Sequence, residues 1–142
     1  MHPPKYLLPL LLLSCNETTT PTGEEEVVDS ATCYSFVDDR DAVMLSLTDL
    51  QGNTRGMLDY ALAEKDRNTG TLEGAWKGDT LYANYTFQSE GVESQREVAF
   101  LRRGDQLVEG YGPVNADGTG FASRDSLEFS GQMPLTVTDC DN

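Results

Sequence analysis

Carboxylates are almost the only side chains in this sequence that could do acid–base or metal chemistry. The 142 residues include 24 Asp and Glu, a single histidine, His2, and three cysteines, Cys15, Cys33 and Cys140. His2 lies in a leader that we expect to be removed, so Ser-His-Asp and Cys-His catalysis and His/Cys zinc sites are excluded. A carboxylate pair could hydrolyse glycosides, but a domain this small has little room for a sugar-sized cleft. We predict no catalytic residue, no cofactor and no enzymatic activity.

Two short acidic stretches could offer oxygen ligands to a hard cation. One is Asp38-Asp39-Arg40-Asp41, and the other, Asn115 to Gly120, has the Asn-x-Asp-Gly alternation of a partial calcium loop. In neither are the first Asp and the distal bidentate Glu of a full calcium loop in place. Asn-Gly and Asp-Gly are also common in hairpin turns. These stretches therefore predict turns and no metal site.

From Cys33 onward the apolar residues recur every second position, which is the period of a β-strand. Val43, Leu45 and Leu47 are one example, and turns such as Lys77-Gly78-Asp79 and Arg103-Gly104-Asp105 separate successive segments. The pattern predicts eight or nine short strands, the last ones around Leu127, Phe129, Leu135 and Val137, and no amphipathic helix longer than two turns.

Strands spaced about ten residues apart favour an all-β, antiparallel up-and-down arrangement. A meander of this size most economically closes into a small, lipocalin-like barrel, because closure removes the exposed edges. A two-layer β-sandwich is the alternative.

The first fifteen residues have the features of an export signal. Lys5 gives a basic start, and the apolar run from Leu7 to Leu13 is too short to span a membrane. Leu12-Leu13-Ser14-Cys15 resembles the bacterial lipobox, in which a peptidase cleaves before the cysteine and the new N-terminal cysteine is acylated. The resemblance implies a signal peptide over 1–14 and membrane attachment through a lipid on Cys15. The alternative is an ordinary secretory signal with an incidental cysteine.

Residues 15–31 are rich in Thr, Pro, Gly and Glu and include Glu24-Glu25-Glu26. Because they offer few apolar side chains to bury, we predict a flexible, disordered acidic tether before a single β domain over 32–142. Without the leader the chain has nine Lys and Arg against 24 Asp and Glu. A charge of this sign repels nucleic acid and anionic headgroups, so we expect no nucleic-acid partner.

Lipidation of Cys15 would leave two cysteines in an exported chain. Cys33 begins the patterned region, and Cys140 is the third residue from the end. In an oxidising compartment the sequence predicts a disulfide between them, with two free buried thiols as the alternative.

The most distinctive stretch runs from Tyr60 to Arg102. It contains Glu64-Lys65-Asp66, Gly78-Asp79-Thr80-Leu81, Tyr85-Thr86-Phe87, Ser89-Glu90-Gly91 and Arg96-Glu97-Val98-Ala99-Phe100. Together with Val108-Glu109-Gly110-Tyr111-Gly112 and the two flanking cysteines, this stretch resembles uncharacterised small lipoproteins of Bacteroidota-type bacteria, and the resemblance covers residues 33–112. The resemblance implies a lipid-anchored place in the cell envelope, at the outer membrane on its periplasmic or surface face, and no established activity. It also allows Glu90, Arg96 and Glu97 to form a polar patch at one mouth of the barrel, the alternative being exposed salt bridges.

Two classes of function remain. The first is a non-enzymatic envelope or interaction role with a protein partner. The second is a lipocalin-like binder of a small apolar ligand, whose cavity would be lined by five aromatic residues. These are Tyr60, Trp76, Tyr85, Phe87 and Phe100. Since side chains alone can fill a narrow barrel, the same five residues are equally explained as a solid core.

Overall fold

The computed structural model describes Met1, His2, Pro4 and residues 29–140. The predicted lipidation site Cys15, most of the leader and most of the tether lie outside the described residues. Eight strands follow one another: β1 (Thr32–Val37), β2 (Ala42–Leu50), β3 (Asn53–Ala61), β4 (Asn68–Lys77), β5 (Thr80–Ser89), β6 (Val92–Arg103), β7 (Gln106–Glu109) and β8 (Leu135–Thr138). Each strand pairs antiparallel with the next, and β8 returns to β1. The predicted up-and-down barrel is confirmed, and the sandwich alternative is wrong.

The interior of the barrel is built by the period-2 pattern of the sequence. In β2, Val43, Leu45 and Leu47 are buried and point inward, while the residues between them face outward. The same alternation places buried side chains from every strand from β2 to β8 in one core. Its members are Val43, Leu45, Leu47, Leu58, Tyr60, Leu72, Leu81, Ala83, Tyr85, Val98, Phe100, Leu107 and Leu135.

Three glycines at inward positions allow neighbouring strands to come very close. A Cβ built on Gly56, Gly70 or Gly74 would lie 2.0 Å from a backbone carbonyl oxygen of the adjacent strand. No larger residue fits at these positions without moving the backbone. Glycines of this kind let a sheet bend sharply enough to close.

The up-and-down course gives the barrel two distinct ends. We call one end the mouth, which is formed by the connections 38–41, 62–67 and 90–91 and by the long segment 110–134. The opposite end carries the turns 51–52, 78–79 and 104–105, as well as the start of β1 and the end of β8. There Cys33 and Cys140 form the predicted disulfide, with their Cα atoms 5.2 Å apart. The described chain therefore enters the barrel at the end opposite the mouth.

The segment 110–134 differs from its prediction, because no strand forms around Leu127 or Phe129. It contains a single 3₁₀ turn, Arg124–Ser126, and two isolated bridges, Tyr111 to Glu128 and Val114 to Phe121. β7 is much shorter than β6 and leaves part of the edge of β6 unpaired. The segment 110–134 forms hydrogen bonds with that part of the edge. The Gly110 amide donates to the Ala99 carbonyl at 2.8 Å, and the Glu97 amide donates to the Thr119 carbonyl at 2.8 Å.

Candidate functional site at the barrel mouth

The five aromatic residues predicted as ligand contacts belong to the core or pack against it. Tyr60, Tyr85 and Phe100 are buried members of the core, while Trp76 and Phe87 are half-buried at its margin. The Tyr85 and Phe87 rings are stacked, with centroids 4.9 Å apart, and the Tyr60 ring meets Tyr85 edge-on at 5.9 Å. These rings fill space between the strands and pack on one another.

A charged pair lies among these rings inside the mouth half of the barrel. On β6, Arg96 is four residues before the inward-facing Phe100, so its side chain also points inward. On β7, Glu109 is the residue that pairs with Phe100, so its side chain points to the same side of the sheet. The Arg96 Nη1 atom is 3.8 Å from Glu109 Oε1. The guanidinium carbon also lies 5.4 Å from the Tyr60 ring centroid and 5.7 Å from that of Tyr85, within cation–π range.

Two phenol hydroxyls also donate hydrogen bonds to the Glu109 carboxylate. The Tyr60 hydroxyl donates to Oε1 at 2.7 Å, and the Tyr111 hydroxyl donates to Oε2 at 3.0 Å. The Tyr85 hydroxyl does not join this network, since it donates to the Leu58 carbonyl at 2.7 Å. Sequence reasoning did not single out Glu109. The available signal was its spacing, because Glu109 is two residues after the buried Leu107 on the same strand face.

Burial perturbs the ionisation of the whole network. Burial raises the pKa of the Glu109 carboxyl, although Arg96 and the two phenols act in the opposite direction. Burial also raises the pKa of Tyr60 and of Tyr111, and the Glu109 charge adds to both effects. Burial acts to lower the pKa of Arg96, but Tyr60 and Glu109 outweigh it and the net pKa is raised. The arrangement therefore favours a charged arginine beside two neutral phenols.

A cleft of about 430 Å³ opens at the mouth. Phe36, Leu62 and Met133 form its apolar part and pack directly against the core. Charged side chains surround them on the connections 38–41 and 62–67. The Asp41 carboxylate accepts a hydrogen bond from the Ala63 amide at 2.8 Å, which ties these two connections together.

A second, smaller cavity of about 90 Å³ adjoins the cleft, and we call it the inner pocket. Gln132 and Met133 line both spaces. The inner pocket is also lined by Glu109 and Tyr111, so it connects the mouth with the buried carboxylate. The apolar surface of the mouth and the charged network therefore belong to one site.

The polar patch suggested for Glu90, Arg96 and Glu97 is not assembled as one unit. Arg96 points into the barrel, whereas Glu97, its neighbour on β6, points outward. Glu97 Oε1 accepts a hydrogen bond from Arg124 Nε at 2.8 Å, and Oε2 accepts one from the Phe121 amide at 3.0 Å. Glu97 thus fastens the segment 110–134 to the outside of β6.

Asp38 and Asp117, one in each acidic stretch, use their carboxylate oxygens within their own loops. Asp38 Oδ1 accepts hydrogen bonds from the Arg40 and Asp41 amides, which lower the pKa of Asp38. Asp117 Oδ1 accepts from both the hydroxyl and the amide of Thr119. Within residues 29–140 no group of three or more His, Cys, Asp or Glu side chains is arranged to hold a metal ion.

Comparison with known proteins gives no family for this chain, because no protein-family model, curated protein or solved structure matches it. Among the described residues there is no helix of the length and apolar character that crossing a membrane requires. Function is therefore inferred from the site itself.

Proposed function

We propose that this chain is a non-enzymatic, exported β-barrel that binds a small, largely apolar molecule at its mouth. The observation that carries the proposal is the cleft in which the half-buried side chains of Phe36, Leu62 and Met133 lie on top of the hydrophobic core. Its volume of about 430 Å³ lies within the usual range for small-molecule sites, about 300–1,000 Å³. Mouths of β-barrels are also a common position for such sites.

In this proposal the ligand rests on the top of the core and does not enter the barrel. Tyr60, Tyr85 and Phe100 then act as the packed support of the site, and Phe36, Leu62 and Met133 supply the contact surface. This modifies the expectation from the sequence, in which the aromatic residues themselves lined a cavity.

Native mass spectrometry of the protein isolated from its host tests this proposal. We expect an additional mass on the native protein that disappears on denaturation. Met133→Asp should abolish it by placing a charge on the apolar surface of the cleft. Met57→Asp is the matched control, because Met57 is 56% exposed on the outer wall of the barrel and lies outside the cleft. A wild-type protein without additional mass, or a Met133→Asp variant that keeps it, would contradict the proposal.

We further propose that a lipid on Cys15 anchors the protein in the cell envelope. The support comes from the Leu12-Leu13-Ser14-Cys15 motif. An anchor on this side also suits a binding role, because β1 begins at the end of the barrel opposite the mouth. The mouth would then face away from the membrane and remain accessible to a ligand or a protein partner.

Metabolic labelling with a fatty acid tests the anchor. We expect the wild-type chain to incorporate label and to sediment with membranes. Cys15→Ser should lose both properties, whereas Ser14→Ala, which keeps a small residue before the cysteine, should retain them. Labelling of the Cys15→Ser variant would rule out this attachment site.

A further inference from the structure

The inner pocket beside the mouth contains a charge that the binding of an apolar molecule does not require. Among the described residues that line it, Glu109 is the only one with a charged side chain. Glu109 is 8% exposed, and the remaining lining includes Tyr111, Ser130 and the two residues shared with the cleft, Gln132 and Met133.

A buried carboxylate in this position is poorly explained by stability alone. Removing two charges from water is costly, and well-packed apolar residues are often as stabilising as a buried ion pair or more so. The Arg96 to Glu109 separation of 3.8 Å is close to the limit for an ion pair. Glu109 has about four acceptor positions, and the three groups that face it are Arg96, Tyr60 and Tyr111. One acceptor position therefore remains for a further donor.

The inner pocket selects the chemistry of that donor. Its volume of about 90 Å³ accommodates a small head group. Arg96 contacts Glu109 from a different side, where it lines a separate cavity of about 100 Å³ beside Glu97 and Gly110, and none of the described residues that line the inner pocket carries a positive charge. A carboxylate next to an aromatic ring attracts a cation both by charge and by the face of the ring.

We propose that the ligand of the mouth is a primary amine whose ammonium group occupies the inner pocket and donates to Glu109. Its apolar part lies on Phe36, Leu62 and Met133. This inference rests on the proposed function, since it assigns a head group to a ligand that the mouth is already proposed to bind.

A head-group series tests the inference on the full chain. The probes are hexylammonium, hexanol and hexanoate, which share one six-carbon chain and differ in charge. Binding is followed by NMR of methyl-labelled methionines, with Met133 reporting the mouth and Met44 and Met57 reporting the outer wall. We expect hexylammonium to shift the Met133 signal with about tenfold or greater affinity than hexanol, as for a hydrogen bond to a charged group. Hexanoate should bind more weakly than hexanol.

Three outcomes of this series are distinguishable. Ammonium preference at Met133 supports the inference. Equal binding of hexylammonium and hexanol at Met133 overturns the inference and leaves the proposed apolar site standing. If none of the three probes shifts Met133, both the inference and the proposed function fail.

Glu109→Gln identifies the group responsible for the preference. This substitution keeps the shape of the side chain and removes the charge, so the affinities for hexylammonium and hexanol should become similar. Glu73→Gln, the same substitution at an exposed position on the outer face of β4, should keep the wild-type preference. An unchanged preference in folded Glu109→Gln would overturn the assignment. If Glu109→Gln does not fold, the wild-type head-group series decides the inference without it.

Discussion

At the scale of single residues, the interior charges show both the strength and the limit of sequence reasoning. The alternation of Val98 and Phe100 correctly predicts an inward face for β6, and Arg96 is in phase with them. The interpretation of Arg96 as part of a surface patch gave more weight to its charge than to its phase. An arginine at an inward position implies a buried partner, but its identity depends on which strands are neighbours. Only the pairing of β6 with β7 brings Glu109 opposite Phe100.

The buried phenols lead to a prediction about alkaline conditions. Burial raises the pKa of Tyr60 and of Tyr85 above their ordinary value of 10.0. The folded state then holds phenol protons that the unfolded state releases, so this contribution to stability is present below about pH 10 and is lost as the pH rises further. We expect the free energy of unfolding to fall above pH 10 by at most about 1.4 kcal/mol per pH unit for each buried phenol.

Urea denaturation at pH 8 and at two values between pH 10 and 11 measures this effect. Tyr60→Phe should show a smaller loss over that range. The variant should also be less stable than the wild type at pH 8 by about 1–3 kcal/mol, because Glu109 loses a donor. A pH dependence identical to that of the wild type would show that the Tyr60 phenol does not contribute.

At the scale of elements, turns and strand phase were predictable, and the long connection was not. Gly78 and Gly104 adopt positive φ angles of 60° and 64° within the two turns that the sequence indicated. Leu127 and Phe129 continued the alternation in the sequence but lie in an irregular segment outside the barrel. The reason is tertiary, because this segment covers the edge that the short β7 leaves open on β6. The β-propensity and the hydrophobic alternation of a segment do not reveal the length of a neighbouring strand.

The glycines in β4 are predicted to be essential for its curvature. Gly74→Ala would place a methyl group 2.0 Å from the Tyr82 carbonyl oxygen and 2.7 Å from the Ala83 Cβ, so the backbone must move. We expect a loss of about 2–3 kcal/mol in the free energy of unfolding, as for an overpacked core. Gly120→Ala is the control, since its new Cβ would approach only the ends of the Asn115 and Glu97 side chains, both at 3.3 Å. Equal denaturation midpoints for the two variants would contradict this role of Gly74.

At the scale of the whole molecule, closure of the barrel depends on the short strand β8. We call its pairing with β7 and with β1 the seam of the barrel. β4 and β5 pair along most of their length, from Thr69 with Gln88 to Lys77 with Thr80. In contrast, β7 and β8 pair only through Gln106 with Thr136 and Leu107 with Leu135. The sequence predicted a barrel and its disulfide, but not that the closing strand would be so short. The Cys33–Cys140 bond joins β1 to the residues that follow β8, and so it holds the closing strand beside its neighbour.

The disulfide is therefore expected to stabilise the seam more than the rest of the barrel. It closes a sequence separation of 107 residues, which in the chain-entropy model is worth about 4–5 kcal/mol. We expect the Cys33→Ala and Cys140→Ala double variant to lose stability of this order in urea denaturation. Amide hydrogen exchange should then accelerate first in β8 and in the part of β1 paired with it, from Cys33 to Ser35. The β4–β5 hairpin should stay the most protected, because its pairing does not involve the seam. Uniform acceleration across all strands would mean that the barrel opens as one unit and that the disulfide supports the fold as a whole.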